Sequence, residues 1–128
     1  MLNTEDIPHL VIGACLEVHR ELGTTMPDYG YRAALAHELR MREIIFQQDV
    51  PVMMEYKGER LPCDASVDFL VENQIVVAIT AKEQTTVDKR RLLGLMRAGG
   101  YKHGVMVDFS LNDLRAGIKR ISIEMSRS

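Results

Sequence analysis

The sequence predicts a single α/β domain, and three observations predict it. Apolar residues recur at three- and four-residue steps over 7–22 and again from 31 to 39, the period of amphipathic helices. The stretch VDFLVENQIVVAIT, residues 67–80, reads as two short apolar strands around a polar turn. A third helical pattern, TTVDKRRLLGLMRAGG, is followed by HGVMVDFS, a short and mostly apolar strand.

The elements follow in order. Thr4 before Glu5 and Asp6 marks a helix start, with a hydroxyl N-cap and acids near the positive helix end. Ile7, Val11, Ala14, Val18 and Leu22 form the apolar stripe, and Gly23 closes the helix. Pro8 lies in the first turns, where its missing donor costs little. The loop GTTMPDYGY is broken by Gly23, Pro27 and Gly30, and Asp28 reads as the N-cap of the next helix. That helix gathers Tyr31, Ala34, Leu35 and Leu39 and runs to about Arg42. The segment IIFQQDVPVMMEYKGERLPC alternates and turns at Lys57-Gly58, a hairpin signal, with Cys63 expected in a loop beside Pro62. The third helix takes Thr85 or Thr86 as cap, carries apolar residues at Val87, Leu92, Leu95 and Met96, and stops at Gly99-Gly100. LNDLRAGIKRISIEM gives a helical turn, a stop at Gly117 and a closing strand. No repeat, linker or low-complexity tract interrupts the chain, so residues 1–128 form one domain.

The strand register decides what surrounds Asp68. A two-residue turn at Glu72-Asn73 would set Asp68 opposite Val77, whereas a three-residue loop, 72–74, sets it opposite Ala78, with Ser66 opposite Thr80. The second register gathers Val67, Phe69, Val71, Ile75, Val77 and Ile79 on one wholly apolar face, which is the face to bury. Ser66, Asp68, Leu70, Val76, Ala78 and Thr80 then share the other face, and Asp68 points away from the main core.

The totals exclude several classes. At 128 residues the chain builds one real core, and 46% hydrophobic with 27% charged residues is an ordinary globular balance. A net charge of −2 gives no global attraction to nucleic acid or anionic lipid. Cys15 and Cys63 form no metal-ligand spacing and no disulfide framework, so reduced thiols are expected. The N-terminal stretch has no basic segment of the kind that opens a signal peptide, and no apolar run approaches the roughly 20 residues that span a bilayer. These features give a cytoplasmic expectation with no membrane. The lack of Trp and 5% aromatics weaken any case for base stacking.

The segments VIGACLEVHRELG, YRAALAHELR, VPVMMEYKGERL, VDFLVENQIVV and GVMVDFSLNDLRAGIKRI resemble the bacterial GxxExxY proteins, grouped with the PD-(D/E)xK nuclease superfamily. The similarity runs from about Ile7 to Ile123. It implies a restriction-endonuclease-like fold, a central mixed sheet flanked by helices. It also implies a site where an Asp on one strand faces a Glu-x-Lys on the next. By that resemblance the Asp corresponds to Asp68, the Glu to Ala78 and the Lys to Thr80, while a helical Gln corresponds to Arg91. The name motif ends at Tyr31, with Asp28 in place of its Glu and Met26-Pro27 in place of two leucines, and Glu17 matches a recurrent family acid.

Hydrolysis of this type needs at least two carboxylates around Mg²⁺ and a lysine near the developing charge. Ala78 supplies no ligand and Thr80 no charge, and losing one such group costs about 10²–10³ in rate. Lys82 would keep the strand face of Thr80 if the strand continued, making it the substitute cation, whereas Glu83 would point the other way. Glu17 and His19 lie on different helix faces and form no acid–base pair. Lys89, Arg90, Arg91 and Arg97, with Lys102, His103, Lys119 and Arg120, read either as a phosphate-gripping patch or as solvated surface. Eight methionines, with the pair Met53-Met54, read as core filling or an adaptable partner surface.

The expectation is a nuclease-fold domain without its catalytic centre, working without cofactor as a binding or assembly module, alone as a homodimer or with a protein partner. One alternative is a nuclease using Mg²⁺ or Mn²⁺ on Asp68, with Glu17 or Asp28 and a displaced Lys82. The other is nucleic-acid binding without cleavage through Lys89, Arg90, Arg91 and Arg97.

Overall fold

Two helices pack on one face of a mixed sheet and one on the other. The computed structural model describes residues 6–124, so the expected cap at Thr4 lies outside the described residues. Helix α1 (Asp6–Leu22) buries Ile7, Val11, Ala14, Cys15 and Val18 along one stripe. It ends at Gly23, whose φ of 74° suits a residue without Cβ. Helix α2 (Asp28–Met41) buries Tyr31, Leu35, Ala36 and Leu39. Its N-cap is Pro27, extended at φ −64° and ψ 161° with no side-chain cap bond, and not Asp28. The proline ring fixes φ where the chain turns into the helix, and Asp28 enters as the first helical residue, beside the positive helix end.

The sheet follows the order β1-β2-β3-β4-β5. It comprises β1 (Phe46–Tyr56), β2 (Glu59–Val71), β3 (Ile75–Thr80), β4 (His103–Asp108) and β5 (Ile118–Ser122), and only β3 and β4 run parallel. Helix α3 (Thr86–Gly99) connects those two, and a 3₁₀ turn (Leu114–Gly117) precedes β5. Lys57 and Gly58 have φ of 52° and 83° at the tip of the β1–β2 hairpin, as a tight primed turn requires. Cys63 lies within β2 and not in a loop, its Sγ donating to the Val52 carbonyl at 3.0 Å. The hairpin is irregular midway. Met53 faces Pro62 but Pro51 faces Ser66, so residues 63–65 stand against Val52 alone. Asp64 and Asp49 take positive φ, 53° and 51°, around this bulge.

Two apolar layers result. Helices α1 and α2 cover Phe69, Val71, Ile75, Val77 and Ile79, together with Val105, Val107 and Phe109. Tyr31 stacks on Phe109 with centroids 4.4 Å apart and planes 10° apart. Its hydroxyl donates to the Gly23 carbonyl at 2.6 Å and accepts from the Met26 N–H, which ties the α1–α2 loop to the core. On the other face α3 covers Leu70, Val76 and Met106 with Leu92 and Met96. Val67, expected beside Phe69, packs in this second layer with Val52. The bulged hairpin coils, and α3 packs against β1, so strict alternation fails at that end.

Candidate active site

The loop between β2 and β3 sets the register on which the site depends. Glu72 and Asn73 both take φ near 55°, at 54° and 56°, and Gln74 donates to the Val71 carbonyl at 3.0 Å. Val71 therefore faces Ile75, Leu70 faces Val76 and Phe69 faces Val77. This is the three-residue loop, and continuing its count places Asp68 opposite Ala78 and Ser66 opposite Thr80.

The backbone ladder ends at Phe69 and Val77, and a side chain takes over. Asp68 Oδ2 accepts the N–H of Ile79 at 3.0 Å, filling the role of a strand carbonyl. Asp68 Oδ1 receives Arg32 Nη1 at 2.8 Å. The other end of that guanidinium, Nη2, bonds Asp49 Oδ1. Asp49 lies between the pairs Gln48↔Phe69 and Val50↔Val67, so it stands opposite Asp68 on the neighbouring strand. The Arg32 side chain is 24% exposed and its guanidinium also sits 5.8 Å from the Phe69 ring centroid. Partial burial opposes its charge, but Asp68 and then Asp49 outweigh that and raise its pKa above the ordinary value.

A pocket of about 120 Å³ opens beside Asp68, between the sheet and the first turns of α3. Ser66, Ala78 and Thr80 form its strand wall, Asp88 and Arg91 its helix wall, and Leu92, Leu95 and Met106 its apolar floor. Thr80 is not free to reach into it as a donor, since its hydroxyl bonds the Lys82 carbonyl at 2.8 Å. Asp88 completes a capping box with Thr85: each accepts the other's backbone N–H. The backbone N–H of Thr85, then its hydroxyl, hold the Asp88 carboxyl below its ordinary 3.8, with smaller help from Lys82 and Arg91.

The remaining sequence-derived residues are dispersed. Strand β3 ends at Thr80 and a bend follows, so Lys82 does not keep the strand face of Thr80; its charge reaches Asp88 instead. Glu17 is paired with Arg20 at 2.6 Å on its own helix, and that bond lowers its pKa. Asp28 lies at the exposed start of α2. Neither Glu17 nor Asp28 lines the pocket at Asp68. The cations do not share one surface. Lys119 faces Met106 and Arg120 faces Val105, which puts them on opposite faces of the sheet. Lys102 and His103 line a separate depression with Asn73 and Gly100. Lys89, Arg90 and Arg97 are exposed on α3, and only Arg91 turns toward the pocket.

Sequence reasoning missed Arg32, Asp49 and Gln84. Gln84 bonds the backbone N–H groups of Val107 and Asp108 at 3.1 and 3.3 Å with its amide oxygen turned toward them. Asp49 escapes a count from the Lys57-Gly58 turn because the bulge shifts it from Ser66 to Asp68. A divalent cation does not fit what is present. Ala78 has no donor atom, both Asp68 oxygens are engaged, and no group of three His, Cys, Asp or Glu converges among the described residues.

No curated protein and no solved structure matches the chain. A family profile described as the PD-(D/E)XK nuclease superfamily matches residues 5–121. With the mixed sheet, its flanking helices and Asp68 at the parting of β2 and β3, the chain belongs to the PD-(D/E)XK nuclease superfamily.

Proposed function

We propose that this chain uses the nuclease scaffold without the nuclease reaction and acts as a binding or assembly module. The observation that carries the reading is the state of Asp68. Its carboxylate is spent on the Ile79 N–H and on Arg32, while the neighbouring strand offers Ala78 and Thr80 where the superfamily pattern wants an acid and a lysine. Transition-state charge on a phosphoryl group would meet no positioned metal ligand set at that wall. Titration of the wild-type protein with Mg²⁺ and with Mn²⁺, followed by calorimetry, tests this. The expected result is no saturable uptake and no cleavage of single- or double-stranded DNA or RNA. Saturable uptake that disappears in Asp68→Asn overturns it.

A second reading has one observation in its favour. Asp49 supplies another carboxylate directly opposite Asp68, so a nuclease with a rearranged site would use these two acids in place of the usual pair. It requires Mg²⁺ or Mn²⁺ to displace Arg32, and the same titration decides it.

A further inference from the structure

Across β3 from Asp68, a second hollow of about 520 Å³ lies between the end of β4 and the 3₁₀ turn. One carboxylate oxygen there is unused by the chain. We propose that this hollow is a binding site for an organic cation, a guanidinium or primary ammonium group, held by Asp108. The inference does not depend on the state of the Asp68 site.

Burial singles out the acid. Asp108 is the one charged residue that is buried among the described residues, at 3% exposure. Its Oδ1 accepts both the N–H and the hydroxyl of Ser110, at 2.8 and 2.6 Å. Its Oδ2 receives no hydrogen bond among the described residues. The neighbouring N–H groups are used elsewhere: those of Val107 and Asp108 bond Gln84, and that of Phe109 bonds the Thr80 carbonyl. Every fully enclosed side-chain oxygen among the described residues has a partner, so Oδ2 keeps an opening, and the hollow that Asp108 lines is that opening. The walls are held in place. His19 Nε2 donates to the Leu111 carbonyl at 2.8 Å and ties one wall to α1. Gly117 forms another, and a Cβ there would stand 2.6 Å from the Asp108 carbonyl oxygen, so the close approach requires bare backbone. Charge then selects the ligand. Glu83 adds a second acid to the lining against the single ammonium of Lys119, which makes no ion pair with Asp108 among the described residues. One free carboxylate oxygen beside a hydroxyl is too small a donor set for a divalent ion, and no three His, Cys, Asp or Glu converge among the described residues. A singly charged N–H donor fits. Its bond to a carboxylate already stripped of most of its water is stronger than one to a surface acid.

The test titrates the wild-type protein with methylguanidinium, with n-butylammonium, with N-acetylarginine amide, and with urea as the neutral isostere of guanidinium. The backbone N–H signals of Asp108, Phe109 and Ser110 are followed by NMR. At least one of the two small cations should shift them saturably, in the millimolar range, and urea at the same concentration should not. Asp108→Asn keeps an oxygen for Ser110 and removes the charge, and it should weaken the binding by about tenfold or more. If Asp108→Asn fails to fold, the wild-type contrast between methylguanidinium and urea still decides. Saturable shifts with N-acetylarginine amide as well assign the site to a side chain presented by a partner, whereas shifts with the small cations alone assign it to a free amine or guanidine. No saturable shift with any cation, equal shifts with urea, or unchanged binding by folded Asp108→Asn refutes the site. None of these results bears on Asp68, which the metal titration tests separately.

Discussion

Asp68 and Cys15 show how differently two polar groups are kept inside one domain. Asp68 remains partly exposed and is matched oxygen by oxygen, to an arginine and to a backbone N–H. Its place opposite Ala78 was readable from sequence, because the three-residue loop gathers Phe69, Val71, Ile75, Val77 and Ile79 on one wholly apolar face. Arg32 was not readable, since its partners lie 17 and 36 residues away and no local period marks such a contact. Cys15 is fully buried in the layer under α1, and burial pushes its thiol up to about 12 despite the nearby positive charge of Arg42. Its thiolate is therefore scarce at any ordinary pH. Cys63 is only partly buried. Alkylation of the native protein at about pH 8 should modify Cys63 and spare Cys15, and both should react after unfolding in guanidinium. Equal labelling rates before unfolding would show that the α1 layer opens readily.

Helix α3 carries the clearest local signals, and they match its observed ends. Thr85 and Asp88 form the capping box, and Gly100 closes the helix with φ of 77°. Thr85→Ala should cost about 1 kcal/mol, measured by denaturant unfolding. Asp88→Asn separates geometry from charge, because an amide oxygen still accepts the Thr85 N–H. The folded carboxyl is depressed below 3.8, so its ionic contribution is complete above that value and is lost as pH falls through the lower folded value. The stability gap between wild type and Asp88→Asn should accordingly narrow below pH 3.8. A gap that stays constant down to acid unfolding would mean the charge adds nothing. The hairpin was less legible than α3. The sequence marks its turn, but the bulge near Val52 leaves no signature that fixes how many residues it takes up. For that reason Val67 and Asp49 were placed wrongly or overlooked; the hairpin was anticipated, but β2 runs unbroken through Cys63, where a loop was expected.

Across the whole molecule the α/β class follows from sequence periods and the helix-flanked mixed sheet from the family resemblance, whereas the distribution of charge follows from neither. The net charge is −2, and the basic residues of α3, β4 and β5 point in several directions. Arg90 and Arg97 share an outward face of α3, while Arg91 is drawn toward the acid of the pocket. A phosphate backbone gripped at several points needs those cations on one track. Retention on DNA or RNA columns at about 50 mM salt should be absent, and replacing Arg90, Arg91 and Arg97 together should change nothing. Salt-sensitive retention that these replacements abolish would restore the nucleic-acid reading. Among the described residues no helix is long and apolar enough to cross a membrane.

The connection from β3 through α3 to β4 carries a larger loss of chain entropy than the β1–β2 hairpin, which closes across two residues. Loop closure alone therefore predicts that Asp49 and Asp68 pair before Asp88 and Arg91 are brought up beside them. Pulsed hydrogen exchange that protects β4 ahead of β1 and β2 would refute that order.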